Sequence, residues 1–482
     1  MKKIYFILIL TVAVLLGSCT KDFEDFNNDP KHPTDVSGET LFSNAQKALA
    51  DQVASANVNR NIFKLWAQYW TETTYTDEAN YNIVNRRIAD NAFSTYYRRV
   101  LNNLNQAEAN ISAADAIGDA AKIAKTNKLA IIGLLKAYSY QRLVDIFGNV
   151  PYSEALKINE TLSPKYDDAA TIYADLISKV DAALGSMDDT GASFGSADLY
   201  YNGDVAAWKK FGNSLKLKLG LFLADVNDGM AKSTVEAAAA AGVISDPSEN
   251  CQMVYLSESP NTNPIYEDLV LSGRKDFVPA NTIVDMMAGL SDPRMDDYFT
   301  PMADGTYLGG TYGVGSPYSD YSHIAPSILE PSYPSVLIDD VEMKFYMAEA
   351  AARGYNVGGD AETMYNNAVT SSILNWGGTQ DEADTYLAQA SVAFNAADWK
   401  TSIGTQAWIA FYVRGFAGYT SWRRLDAPTL NTSPDAQTDG GAIPVRFTYP
   451  IKEQTLNKAN YTEASTAIGG DELLTRLFWD VQ

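Results

Sequence analysis

The sequence predicts a mainly α-helical fold, built of irregularly stacked helical hairpins and interrupted by a loop-rich insert. Three observations predict it. Apolar residues recur at steps of three or four along much of the chain. The stretches that carry this period run roughly 15–20 residues and are joined by short loops, as in stacked helix pairs. A segment from about 245 to 338 breaks the pattern and is rich in Pro, Gly, Ser and Tyr.

The elements follow in order. Residues 41–70 and 91–111 carry the helical period with indistinct ends. Residues 128–147 put Ile132, Leu135, Leu143 and Ile146 on one side, and Gly148 and Pro151 stop the helix. Residues 169–184 form another, stopped by Gly185. Asp204 is a natural N-cap. After it Trp208, Phe211, Leu215, Leu219, Phe222 and Val226 make one apolar stripe. Asp339 opens a helix with Val341, Phe345, Ala348 and Ala352 inward and Gly354 as its end. Residues 361–376 and 406–425 add two more. The expected hairpins pair 91–111 with 128–147, 169–184 with 205–226, and 340–353 with 361–376. No fixed period is visible, so the stack is not a regular solenoid. No linker divides 41–482, which reads as one domain. The 245–338 insert is too long for an ordinary loop and reads as a functional or second-layer segment; 426–471 is a second loop-rich section.

The N-terminus reads as an export signal. Lys2 and Lys3 precede an apolar run over 4–16 that is shorter than the roughly 20 residues a bilayer span needs. Leu16-Gly17-Ser18-Cys19 then resembles a bacterial lipobox. On that reading residues 1–18 are removed and Cys19 carries acyl chains. Residues 19–40 become an acidic tether, rich in Asn, Asp and Pro. The chain has one further cysteine, Cys251, so an exported body of this length relies on its core rather than on a disulfide.

Charge and motifs narrow the function. There are 37 Lys and Arg against 59 Asp and Glu, a net charge of −22, which disfavours nucleic acid and anionic lipid as partners. The two histidines are His32 and His323, and no zinc, phosphate-loop or serine-nucleophile motif is present. We therefore expect no catalytic residue, no metal and no cofactor. Cys251 and His323 read as structural. Asp435, Gln437, Asp439 and Gly440 resemble the start of a calcium loop, but position 12 is Arg446, so the string reads as a surface turn. Glu342 and Glu349 read as partners of Lys344 and Arg353.

Aromatic residues give the stronger signal. The chain holds 29 Tyr, 18 Phe and 8 Trp. Phe63 and Trp66 read as core. Trp70, Tyr75 and Tyr81 sit among Thr, Asp, Glu and Asn, and Tyr307, Tyr312, Tyr318 and Tyr321 sit in the insert. Each reads either as a half-buried packing ring or as a flat face on which a sugar stacks while neighbouring amides and carboxylates take its hydroxyls.

Several strings share one resemblance: LWAQYWTETTYTDEANY (65–81), FGNVPYSEAL (147–156), DPRMDDYF (292–299), MKFYMAEAAARG (343–354), AWIAFYVRGFAGYTSWRRLDAP (407–428) and IPVRFTYPIKEQTLNKANY (443–461). In this order, and with the lipobox, the chain resembles the SusD/RagB family, closest to the SusD-like group two branch. The resemblance implies four tetratricopeptide-like hairpins covered by a loop-rich ligand-binding half. It implies a lipoprotein of the outer membrane, facing outward, that captures oligosaccharides, or peptides in some members. Such a protein delivers its ligand to a TonB-dependent transporter of the SusC type and is not an enzyme; a glycosidase is the remote alternative. It also implies that Trp422, Arg423, Arg424, Arg446 and Tyr449 are structural or transporter-facing rather than ligand contacts.

Overall fold

A computed structural model describes residues 36–481. The expected signal peptide 1–18, the lipidation site Cys19 and nearly all of the 19–40 tether lie outside the described residues.

Ten long helices carry the architecture. Helix α1 is Gly38–Ala54, capped by Ser37, whose hydroxyl accepts from Thr40 N. Helix α2 runs through Ile88–Ser94, a π-helical stretch Thr95–Leu101, and Asn102–Ala113. Helices α3 (Asp119–Phe147) and α4 (Ala169–Ser186) follow, the second capped by Asp168 and running on through Gly185. Helix α5 is Val205–Leu221, and the Asp204 carboxylate accepts from Ala207 N as expected. It stops short of Val226 because Asn227 caps a new helix, α6 (Asp228–Ala241). Helices α7 (Asp340–Ala352) and α8 (Ala361–Asn375) start from the caps Asp339 and Asp360. Helices α9 (Trp399–Ala410) and α10 (Gly415–Leu425) complete the set.

These pack as hairpins α1/α2, α3/α4, α5/α6, α7/α8 and α9/α10. The last pairing but one is the expected one. The expected pairs 91–111 with 128–147 and 169–184 with 205–226 do touch, but as contacts between successive hairpins. The difference comes from α6, whose alanine-rich sequence shows only a faint stripe. The fold is thus a mainly α stack of tetratricopeptide-like hairpins with loop-rich segments laid on it.

Two expected helices are broken. The 41–70 helix ends at Ala54; a turn, a short helix Phe63–Trp66 and a strand β1 (Trp70–Glu72) follow. The 406–425 helix is interrupted at 411–414, where Val413 takes φ +71. The interruption lets α10 lie directly on Phe63–Trp66. A Cβ at Gly415 would run into Lys64 N and the Phe63 carbonyl carbon, so only glycine permits that approach. Tyr69 then donates to Trp408 O (2.5 Å), and Trp408 Nε1 donates to Ala67 O (3.0 Å).

The loop-rich insert returns to the scaffold through small antiparallel pairs. Strand β2 (Cys251–Met253) pairs with β4 (Ser335–Ile338), and β3 (Phe277–Pro279) pairs with β1 in the register Trp70 to Pro279 and Glu72 to Phe277. Cys251 is buried in β2, while His323 pairs with Thr300 in a different sheet, so the two do not meet. The main core joins the hairpins to the insert. A second cluster around Phe345, Tyr365, Ile373, Tyr386 and Phe411 fills the space between α7, α8 and α9. Among the described residues no helix is long and apolar enough to cross a membrane.

Candidate functional site

Strand β1 runs out of the core toward the surface and ends beside a cleft of about 430 Å³. Three segments distant in sequence line it, together with Arg86. Asn57 and Asn59 come from the turn after α1. Thr73, Thr74 and Tyr75 follow β1. Asp268, Arg274 and Asp276 precede β3. The β1–β3 pairing brings them together and continues past the strands: Thr73 N donates to Asp276 O (2.9 Å) and Thr73 Oγ1 to Lys275 O (2.7 Å). Tyr75 stands at the cleft with 73% of its surface exposed.

The floor holds an unusual carboxyl pair. Glu72 and Glu78 are both buried and lie against each other. Arg86 forms an ion pair with Glu78, and Ala79 N donates to Glu72 Oε2 (3.1 Å). Burial, and then the hydrogen bond to Glu78, push the Glu72 carboxyl up to about 10. At neutral pH Glu72 therefore keeps its proton. Higher on the wall, Asn57 Nδ2 donates to Asp268 Oδ1 (3.3 Å), and burial raises the Asp268 carboxyl. Arg274 is only loosely paired with Asp276, at 3.8 Å. The cleft thus offers amides, hydroxyls, one exposed ring and charges of both signs.

The seven aromatic candidates fall into three groups. Tyr75 lines the cleft. Trp70, Tyr81 and Tyr312 are buried to within about 1% and offer no face to a ligand here. Trp70 Nε1 donates to the Tyr412 hydroxyl (3.1 Å), and Tyr81 packs edge-on against Trp66. The polar neighbours of Trp70 and Tyr81 misled because they are themselves inside. Asn80 Nδ2, for example, donates to Thr76 O (2.8 Å) and Gly313 O (2.9 Å). Tyr307, Tyr318 and Tyr321 are half-buried. Tyr318 stacks on His323 at 3.9 Å and lies under Lys275 Nζ at 5.0 Å, so it neighbours the segment that walls the cleft. Tyr307 donates to Asp296 instead. Asn57, Arg86, Asp268, Arg274 and Asp276 carry no local motif; only a forecast of the β1–β3 pairing could have found them.

Residues 30–450 match the SusD-like group two model, described as starch-binding and associating with the outer membrane. The chain belongs to this SusD-like family. A chitin-binding protein of known structure is similar at 26% identity and TM-score 0.80, over 92% of this chain and 100% of its own. A SusD homolog from Bacteroides uniformis shares the fold at 24% identity and TM-score 0.77, over 92% of this chain and 99% of its own. A chitin-binding SusD homolog from Flavobacterium johnsoniae shares it at 23% identity and TM-score 0.77, over 92% and 98%. No curated protein matches the chain.

In this SusD-like chain the arginines near the C-terminus are interior struts. Arg423 Nη1 donates to Asp145 O (2.8 Å) and Val445 O (2.7 Å). Arg424 pairs with Glu349 at 2.6 Å, and Arg446 donates twice to Phe147 O while pairing with Asp471. Tyr449 is buried and Trp422 half-buried. Glu349 pairs with Arg353 as expected; Glu342 instead pairs with Lys218 and Arg414. Lys344 pairs with Asp340.

Proposed function

We propose that this protein captures oligosaccharides in the Tyr75 cleft, outside the outer membrane, and hands them to a TonB-dependent transporter of the SusC type. Acylation at Cys19 holds it to the membrane, and it acts as a binding protein rather than an enzyme. The observation that carries the reading is Tyr75. A tyrosine ring left three-quarters exposed beside Asn57, Asn59, Thr73 and Asp276 is a stacking face with hydrogen-bond partners within reach of a sugar's hydroxyls. The protonated Glu72 below it supports a neutral ligand, since it spares the floor a second negative charge. The 26%-identical chitin-binding protein and the family's starch-binding description make chitin and starch oligosaccharides the first ligands to try.

Calorimetry with both glycan series and a peptide panel tests this. Glycan binding is expected, weakened about 2- to 10-fold in Tyr75→Ala, the range that a lost stacking contact spans. Peptide binding without any glycan response would overturn the glycan reading.

A further inference from the structure

A second cleft, of about 300 Å³, lies near the first. Trp70 links the two through its neighbours. Its ring packs 5.7 Å from Phe277, which lines the Tyr75 cleft, while its Nε1 bonds Tyr412, which lines the second. The chain shows the same adjacency, since Val53 and Ala54 edge the second cleft and Ala56 and Asn57 edge the first.

The second cleft has the parts of a site. Trp376 and Tyr333 are half-buried in its wall, and Trp376 is braced edge-on by the buried Tyr298 at 4.5 Å. Among the described residues, Trp376 Nε1, the Tyr333 hydroxyl and the Gln252 amide make no hydrogen bond, although all three residues line the cavity. None of the three is sealed inside the protein, so each stands ready to bond a polar occupant of the cleft. The charges at the base cancel. Arg414 pairs with Asp339 (2.7 Å) and Glu342, and Lys218 with Glu342 (3.0 Å). Val413, between the two lining residues Tyr412 and Arg414, holds φ +71, which is rare for a β-branched residue; strain of this sort gathers at ligand sites.

We infer that this cleft is a second sugar site, taking one or two neutral pyranose rings against Trp376 and Tyr333. Its volume is at the small end for ligand pockets, which fits a short sugar rather than a long chain. The inference rests on the glycan reading given above, but it concerns a different set of residues.

The test is an NMR titration of the whole protein with diacetylchitobiose and with maltose, following the tryptophan indole N–H signals. Trp376→Phe assigns the signal of interest. We expect the Trp376 signal to shift on adding one of these disaccharides and to shift equally in Tyr75→Ala. Gln252→Ala, which removes no hydrogen bond within the protein, should weaken that shift's apparent affinity about 3- to 10-fold. A Trp376 signal that stays fixed while calorimetry shows oligosaccharide binding that Tyr75→Ala weakens would sink the second site and leave the proposed function standing. Absence of binding by any sugar would overturn both.

Discussion

Two pairs of buried glutamates are treated in opposite ways. On α7, Glu342 and Glu349 each sit between two cations: Lys218 and Arg414 for the first, Arg353 and Arg424 for the second. Burial works against the Glu342 charge, yet its two partners hold the carboxyl down to about 2. Under the Tyr75 cleft, Glu72 and Glu78 share the single Arg86, and Glu72 goes up to about 10 instead. The scaffold uses ionised pairs to join α5, α7 and the 411–414 break into one body. The cleft keeps its floor close to neutral. The comparison teaches where the molecule is fixed and where it is prepared to receive something.

The largest test of that contrast is Glu342→Gln. It strands Lys218 and leaves Arg414 with Asp339 alone, and removing one member of a buried ionic group costs about 3–5 kcal/mol. Denaturant unfolding should show a loss of that size. A loss below about 1 kcal/mol would mean that the network does not join α5, α7 and the 411–414 break.

Next comes Gly415→Ala. The new methyl group meets the backbone of Phe63 and Lys64, which cannot swing aside. Overpacking of this kind costs about 1–3 kcal/mol. A thermal melt is the check, and an unchanged midpoint would contradict the close approach of α10.

Glu72→Gln probes the cleft side. The folded carboxyl titrates above its unfolded value of 4.5, so the native state binds the extra proton between about pH 4.5 and about 10. Stability therefore falls as pH rises across that window, by at most about 1.4 kcal/mol per pH unit. Glutamine cannot ionise. Its stability relative to wild type should be lowest near pH 4 and grow toward pH 9, as read from denaturation at each pH. A difference that does not change with pH would refute the protonated floor.

Most of the helices were readable in the sequence because their determinants are local, whereas of their expected pairings only α7 with α8 is a hairpin of the fold. Asp204 and Asp339 cap the helices they were expected to cap, and the stripe through Trp208, Phe211 and Leu215 faces the core. The breaks at 55–62 and 411–414 were not readable, since they answer to contacts made elsewhere in the chain, Gly415 on Lys64 above all. The cleft was readable only at Tyr75. Trp70 and Tyr81 looked like loop aromatics because polar residues surround them in sequence, and Tyr312 because it lies in the glycine-rich insert. Those polar residues, Thr71, Glu72, Glu78 and Asn80, are buried with their partners, so polarity did not mark the surface. Asn57, Asp268 and Arg274 meet only because residues 70–72 pair with 277–279, about 200 positions away.

The smallest energy at stake is the ligand's contact with Tyr75, worth about 0.5–1.5 kcal/mol, and it bears most directly on function. A crystal structure with the tightest-binding oligosaccharide is the decisive measurement. The account predicts a sugar ring stacked on Tyr75, with its hydroxyls bonded to side chains from the 57–59, 73–75 and 268–276 segments. A sugar found elsewhere on the protein, with the Tyr75 cleft empty, would contradict it.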